Sequence, residues 1–234
     1  AYSEALGIND QGQVVGYSYV SGGSIHAFLY TNEDGMIDLT PNSSFAYAWD
    51  INSSGQIAGY KANQAFRWQN GAFEDLGVLP GYAYSFAFAI NENGQVAGSS
   101  KTATGNAERV TRFTNGVGLE NLGGGGEFNR AYGINNLGEV VGEGRPNGGL
   151  LRAFLYTDAL GLQDLRELIV LPEQWFLLAA HDINDAGQIV GYAFNNFTQQ
   201  TRAVRLRPST MSCTSLCLRS AEIRLRQSST GIQA

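Results

Sequence analysis

A nine-residue string, I-N-x-x-G-[QE]-[VI]-[VA]-G, occurs five times in this chain: INDQGQVVG from Ile8, INSSGQIAG from Ile51, INENGQVAG from Ile90, INNLGEVVG from Ile134 and INDAGQIVG from Ile183. The intervals are 43, 39, 44 and 49 residues, and a period of that order means one supersecondary unit stacked on copies of itself. Further correspondences fall between the anchors. AFLY stands at Ala27, AFRW at Ala65, a degraded VTRF at Val110, AFLY at Ala153 and AVRL at Ala203. A D-L or N-L pair follows in the first four units, at Asp38, Asp75, Asn121 and Asp164. The fifth unit has no such pair.

The apolar stretches are short, rich in Val, Ile, Tyr and Phe, and bounded by Asn, Asp and Gly, which is the pattern of strands joined by hairpins. Composition agrees: glycine is 30 of 234 residues against a usual ~7%, and charged residues are 15% against a usual ~25%. The glycine after N-x-x supplies a positive φ at the close of a turn. No unit holds a ten-residue helical pattern, which excludes the helical repeats, and β-helix turns are shorter. Four antiparallel strands in each repeat describe a propeller blade. The expected fold is therefore all-β, a β-propeller of four-stranded antiparallel blades, five in number, with an open fragment of a larger propeller as the alternative. The repeats span about 1–41, 42–80, 81–126, 127–171 and 172–208, and residues 209–234 form a basic tail, either disordered or supplying one outer strand. The chain begins at Ala1 rather than Met, which suggests a segment removed, and Ala1-Tyr2 leads directly into a first strand with nothing to donate to the fifth unit. Either the alternating stretch at residues 221–226 fills that place or the edge stays open, with the aggregation risk of any unpaired strand.

The first strand of each unit has its own regularity. Three residues before the motif Ile stands Ala5, Ala48, Ala87, Ala131 or Ala180, and directly before it stands Gly7, Asp50, Ala89, Gly133 or Asp182. Strict alternation along a strand puts these on one face, the crowded innermost surface near an axis. The opposite face, with Leu6, Trp49, Phe88, Tyr132 and His181, is then expected to fill the space between blades.

Together, I-N-D-x-G-Q-V-V-G, His26-Ala27-Phe28 and D-L resemble the HAF-family repeats of extracellular bacterial proteins, over roughly residues 1–208. Gln64, Arg152 and Arg202 replace the histidine in three units, so the fold does not need it. Trp175, INDAGQIVG and the run from Arg202 to Pro208 look like the closing repeat of such an array. The resemblance implies an exported, β-rich repeat protein and little agreed biochemistry.

Charge narrows the partners. Residues 1–200 carry nine basic against twenty acidic side chains, and only two lysines, Lys61 and Lys101. Such a body does not track phosphates, so nucleic acid is not an expected partner. Residues 201–234 carry six basic against one acidic, a solvated end or a contact for an anionic partner. No apolar run is long enough to cross a bilayer as a helix. Cys213 and Cys217 lie in the tail as a C-x-x-x-C pair, too few ligands for structural zinc.

Catalytic motifs are sparse. His26 and His181 occupy positions that other units fill differently, and no G-x-S-x-G, H-E-x-x-H or Cys/His arrangement is present. The run Gly123, Gly124, Gly125, Gly126 lacks the Lys-Ser/Thr of a phosphate cradle and reads as a blade-to-blade loop. The N-D-Q-G, N-E-N-G and N-D-A-G turns resemble fragments of calcium loops, but N-S-S-G and N-N-L-G carry no carboxylate, so the shared requirement is the turn and no metal or cofactor is expected. Carboxylates placed for glycoside hydrolysis are Asp50 and Asp182 toward the channel, with Glu4, Glu127 and Glu173 in or near the first strands. The blade-crossing loops offer Tyr82, Tyr84, Phe128 and Trp175 beside Asn42, Glu127, Asn129 and Arg130, aromatic platforms with hydrogen-bonding neighbours suited to sugars or peptides. The leading reading is a non-enzymatic extracellular binding or surface module for a glycan or protein, with ligand contacts at Tyr82, Tyr84, Glu127, Phe128, Arg130 and Trp175. A channel-carboxylate glycoside hydrolase and a purely structural array are the alternatives.

Overall fold

The protein is described by a computed structural model covering residues 2–145, 149–169, 171–172 and 174–208. The tail 209–234, with Cys213, Cys217 and the stretch 221–226, lies outside these residues, as does Glu173. The strands form five separate antiparallel sheets, each a meander in chain order. Blade I is β1 (Ser3–Ile8), β2 (Val14–Tyr19), β3 (Ile25–Thr31) and β4 (Gly35–Asp38). Blade II is β5 (Ala46–Ile51), β6 (Ile57–Lys61), β7 (Gln64–Gln69) and β8 (Ala72–Asp75). Blade III is β9 (Tyr84–Ile90), β10 (Val96–Lys101), β11 (Glu108–Thr114) and β12 (Gly118–Gly123). Blade IV is β13 (Glu127–Ile134), β14 (Val140–Arg145), β15 (Arg152–Thr157) and β16 (Gly161–Asp164), and one helical turn, α1 (Leu165–Leu168), follows it. Blade V has only β17 (Trp175–Ile183), β18 (Ile189–Asn195) and β19 (Gln200–Leu206) among the described residues. The fold is a β-propeller of these five blades, each hairpin-built sheet packing its face on the next.

Each fixed motif position has a physical task. The Asn caps its own hairpin: Asn52 Oδ1 accepts from Gln56 N–H at 2.9 Å while Asn52 Nδ2 donates to Gln56 Oε1 at 2.8 Å. The turn glycines Gly12, Gly55, Gly94, Gly138 and Gly187 have φ between +68° and +76°, where a side chain is strained. The last glycine is required for a different reason. At Gly16, Gly59, Gly98, Gly142 and Gly191 an added Cβ would run into an inner-strand carbonyl, that of Glu4, Tyr47, Phe86, Arg130 or Ala179.

That close approach accompanies a β-bulge repeated in all five units. Ala48 pairs with Gly59 and Asp50 with Ala58, leaving Trp49 as the extra residue. The same shift leaves Leu6, Phe88, Tyr132 and His181 unpaired in their blades. A bulge breaks the two-residue alternation and re-aims its side chain. The expectation that these five residues fill the space between blades is therefore corrected: they line the axis. The seams are packed instead by the small first-strand residues and by the second and third strands. Between blades I and II, Val15, Ala27, Leu29 and Leu39 meet Ala48, Ile51, Ile57 and Phe66.

A ladder of side-chain amides stitches the seams. Asn9 Nδ2 donates to Asn52 O at 3.1 Å, Asn52 to Asn91 O at 3.0 Å, Asn91 to Asn135 O at 2.9 Å and Asn135 to Asn184 O at 3.2 Å. Among the described residues the ladder stops at Asn184, whose amide reaches only its own Gln188. The end faces are uncovered to match. Ile8 is 69% exposed, whereas Ile51, Ile90, Ile134 and Ile183 are at most 7% exposed. Among the described residues the five blades therefore form an open arc rather than a closed five-bladed ring.

The third and fourth strands explain why H/R-A-F and D-L travel together. His26 Nδ1 lies 2.7 Å from Asp38 Oδ2, and Arg152 Nη1 donates to Asp164 Oδ2 at 2.8 Å. The other oxygen of the Asp, or the Asn121 carbonyl, accepts a backbone N–H two residues on, turning the chain toward the next blade.

Candidate axial site

The five bulges aim one variable side chain per blade at a common place. Leu6, Trp49, Phe88, Tyr132 and His181, with Asp50 and Asp182, line an axial cavity of about 380 Å³. The rings touch from blade to blade: Trp49 to Phe88 at 5.5 Å, Phe88 to Tyr132 at 6.0 Å and Tyr132 to His181 at 5.4 Å between centroids. Aromatic walls with a few fixed polar groups are the usual make-up of a small-ligand site. A larger hollow of about 840 Å³ lies on the rim between blades I and II. Its charged groups are occupied, with Glu74 on Arg67, Asp75 on the Gly77 N–H and Lys61 Nζ 3.8 Å above the Phe73 ring.

Both channel aspartates read from the sequence do line the axial cavity. Asp50 Oδ1 accepts from Ile51 N–H and Asp50 Oδ2 from Ile90 N–H, each at 2.9 Å, so its carboxyl ties blade II to blade III. Burial pushes its pKa up to about 6, against the pull of those two N–H groups, and the charges of Asp182 and Glu92 add to the rise. Asp182 accepts from its own Ile183 N–H at 2.8 Å. Tyr132 donates to Glu143 Oε1 at 2.8 Å, and burial followed by that carboxylate holds its hydroxyl protonated well beyond the usual range.

The other predicted carboxylates lie elsewhere. Glu4 is exposed and accepts from the hydroxyls of Tyr17 at 2.6 Å and Tyr2 at 2.9 Å, on the side of blade I where the Tyr17 ring lies 4.4 Å from that of Tyr47 of blade II, and these bonds lower its pKa. Glu127 stands opposite Arg145 in the β13–β14 pair.

Of the residues read as ligand contacts, Glu127, Phe128 and Arg130 come together at the start of β13. Phe128 holds φ +55° and lies between the guanidinium groups of Arg130 and Arg145, at 5.8 and 5.2 Å. Arg130 Nε is 3.5 Å from the carboxylate of Glu108, a side chain 1% exposed that also accepts from Ser99 Oγ at 2.7 Å. Burial raises the Glu108 pKa, with Ser99 and Arg130 opposing. Tyr82 precedes β9 and Tyr84 opens it, while Trp175 opens β17 and packs on the core between blades IV and V. The six therefore spread over three blades. Asn42 lies in the rim hollow, and Asn129 is buried with Nδ2 on Glu108 O at 2.8 Å. Sequence reasoning missed the aromatic wall of the cavity. Its one signal is the position two before the motif Ile, bulky and different in every unit between a fixed alanine and a small or short residue.

Among the described residues, no cluster of three His, Cys, Asp or Glu is placed to hold a metal ion, and no helix is long and apolar enough to cross a membrane. No protein-family model matches the chain, and no curated protein matches it. Among solved structures, the X-ray structure of a protein provisionally assigned as a gluconolactonase aligns with 91% of this chain and 77% of its own. The identity is 10% and the TM-score 0.43, so the fold assignment stands on the strand pairing above and no chemistry is carried across.

Proposed function

We propose that the chain is a non-enzymatic binding module of an exported bacterial repeat protein, taking a sugar ring in its axial cavity. The observation that carries this reading is the bulge shared by all five units, which turns a variable bulky position of each repeat into the same 380 Å³ cavity. Scaffold positions repeat while the cavity wall varies, which is how repeat folds encode ligand preference. Aromatic faces stack on the apolar side of a sugar, and the aspartates accept hydrogen bonds from its hydroxyls. The exported setting rests on the HAF-like repeats. Screening the protein on a glycan array and then comparing Trp49→Ala and Tyr132→Ala tests the reading. Retention drops about tenfold or more, the cost of one lost aromatic contact or buried hydrogen bond, while thermal unfolding stays cooperative. Retention lost on Trp175→Ala or Phe128→Ala instead would move the site to the strand starts. No retained glycan at all would sink the reading.

A hydrolase reading has one specific support, the Asp50 carboxyl lifted to about 6 with Asp182 in the same cavity. Against it, both Asp50 oxygens are held by backbone N–H groups. Turnover of a chromogenic glycoside by the wild type, abolished in Asp50→Asn and Asp182→Asn, would favour catalysis over binding.

A further inference from the structure

Blades I to IV share a rule for the strand that covers their third strand. Opposite Tyr30, Trp68, Phe113 and Tyr156 stand the apolar Met36, Phe73, Leu119 and Leu162. One place on, Arg67 faces Glu74 and Arg112 faces Glu120, with ion-pair distances of 2.6 and 3.1 Å. Next come Asp38, Asp75, Asn121 and Asp164, and then a buried leucine, at Leu39, Leu76, Leu122 and Leu165. Two of those leucines donate their N–H groups to Ala27 O and Ala65 O, closing the pairing.

Blade V presents the other half of this pairing with nothing against it among the described residues. Leu206, Arg205 and Val204 occupy the places of Trp68, Arg67 and Phe66. Arg205 is exposed and has no hydrogen bond or ion pair to a described residue, unlike Arg67 and Arg112. Arg202 takes the place of His26 and Arg152, whose partners are aspartates, and turns instead to Gln200 Oε1 at 3.0 Å. A small apolar cavity of about 30 Å³ lies beside this edge, lined by Leu155, Leu165, Leu168, Ile189 and Leu206. In blade II the corresponding seat is filled by Phe73, whose ring meets Phe66 edge-on at 4.9 Å, and in blade IV by Leu162.

We infer that the β19 edge is a docking site for an extended acidic segment of a partner polypeptide, added antiparallel as the fourth strand of blade V. Its pattern is apolar-Glu-Asp-Leu: the apolar residue enters the cavity beside Leu206, the glutamate pairs with Arg205 and the aspartate with Arg202. Strand addition supplies main-chain hydrogen bonds, and the pocket and the charges supply selectivity. Residues 209–234 have the wrong sign for the place, with Arg219, Arg224 and Arg226 against a single Glu222, and like charges across a strand pair repel. This inference does not depend on the axial cavity binding a sugar.

The test uses the full chain and a labelled peptide, Gly-Phe-Glu-Asp-Leu-Gly, followed by fluorescence anisotropy and amide hydrogen exchange. The peptide binds, slows exchange of the β19 amides, and binds about tenfold less tightly to Arg205→Glu, the loss expected for one charge-assisted hydrogen bond. A Gly-Phe-Lys-Asp-Leu-Gly peptide recovers affinity for that variant. Because Arg205 is exposed, the variant keeps the wild-type melting temperature, which separates lost docking from lost folding. Equal binding by wild type and variant overturns the inference. So do β19 amides already protected in the free chain, which would mean that its own tail occupies the edge, and protection that grows with protein concentration, which would mean a second copy.

Discussion

The seams between blades and the two uncovered end faces are built from the same motif, yet they behave as different materials. At each interior seam the motif Ile is at most 7% exposed, and Val15, Ala58, Ala97 and Val141 on the opposing sheets are fully buried. At the ends, Ile8 is 69% and Val190 45% exposed. The polar groups divide in the same way. Arg67 reaches Gly94 O at 2.6 Å and Arg112 reaches Gly138 O at 3.0 Å, each clamping the hairpin of the following blade, while Arg205 clamps no described residue. The difference teaches that a repeat of this kind holds little of its stability internally. Most of it arises where one blade meets the next, which is the nearest-neighbour behaviour of stacked repeats.

The most forceful way to break that comparison is to make the same deletion on both sides of it. Ile51→Ala empties a packed seam and should cost about 2–5 kcal/mol, the range for truncating a buried large aliphatic. Ile8→Ala removes a side chain that is mostly in water already and should change stability by less than about 0.5 kcal/mol. Denaturant midpoints of the two variants give the answer directly. Equal losses would mean that the near face of blade I is covered in solution.

A second test sharpens the contrast through pH. Asp50 spans the seam between blades II and III, whereas Asp182, bonded to its own Ile183 N–H, has no following blade to reach among the described residues. The folded-state pKa of Asp50 lies near 6, above the 3.8 of a free aspartate. The native state therefore keeps a proton that the unfolded chain has released, and stability falls as pH rises from about 4 to about 6, then levels. The fall is on the order of 2 kcal/mol. Urea unfolding of wild type and Asp50→Asn at pH 4 and pH 7 isolates it. The Asn variant gains on the wild type by about that amount between the two pH values, and parallel profiles would remove Asp50 from the seam's energetics.

How much of this was legible in the sequence depends on which regularity carried it. The turn glycines and the Asn caps are punctuation, so the strand count and the hairpins could be read directly from Gly55 or Asn52 and their copies, and the lack of a D-L pair set the last unit apart. The two aspartates facing the channel were legible because they sit beside the motif Ile. The aromatic wall was not. Alternation assigns Trp49 and its counterparts to the blade interface, and only a bulge reverses that. The trace it leaves is indirect: a glycine that cannot be anything else, such as Gly59 against the Tyr47 carbonyl. The buried Glu108 was illegible for another reason. It replaces the apolar Ile25 of the first unit, and its partner Arg130 comes from the next blade, a contact that no repeat position announces.

The amide ladder offers the finest test, because its last rung is its own control. The Asn91 side chain makes four hydrogen bonds: it accepts from the N–H groups of Asn93 and Gln95, and donates to Gln95 Oε1 and across the seam to Asn135 O. Asn184 accepts from Gln188 N–H and donates to Gln188 Oε1, but its amide spans no seam among the described residues. Alanine at either position removes a turn cap, costing about 1 kcal/mol. Only Asn91→Ala also breaks a cross-blade bond between buried groups, the one to Asn135 O, for about another 1 kcal/mol. The difference between the two variants, read from their thermal midpoints, is therefore the worth of one rung together with the second N–H that Asn91 accepts, from Asn93. If Asn91→Ala and Asn184→Ala cost the same, the ladder only sets register, and apolar contact alone holds the blades together. If the gap is present, aspartate at the two positions should keep the part of it that belongs to the rung, since Asp retains the cap acceptor and loses only the donors.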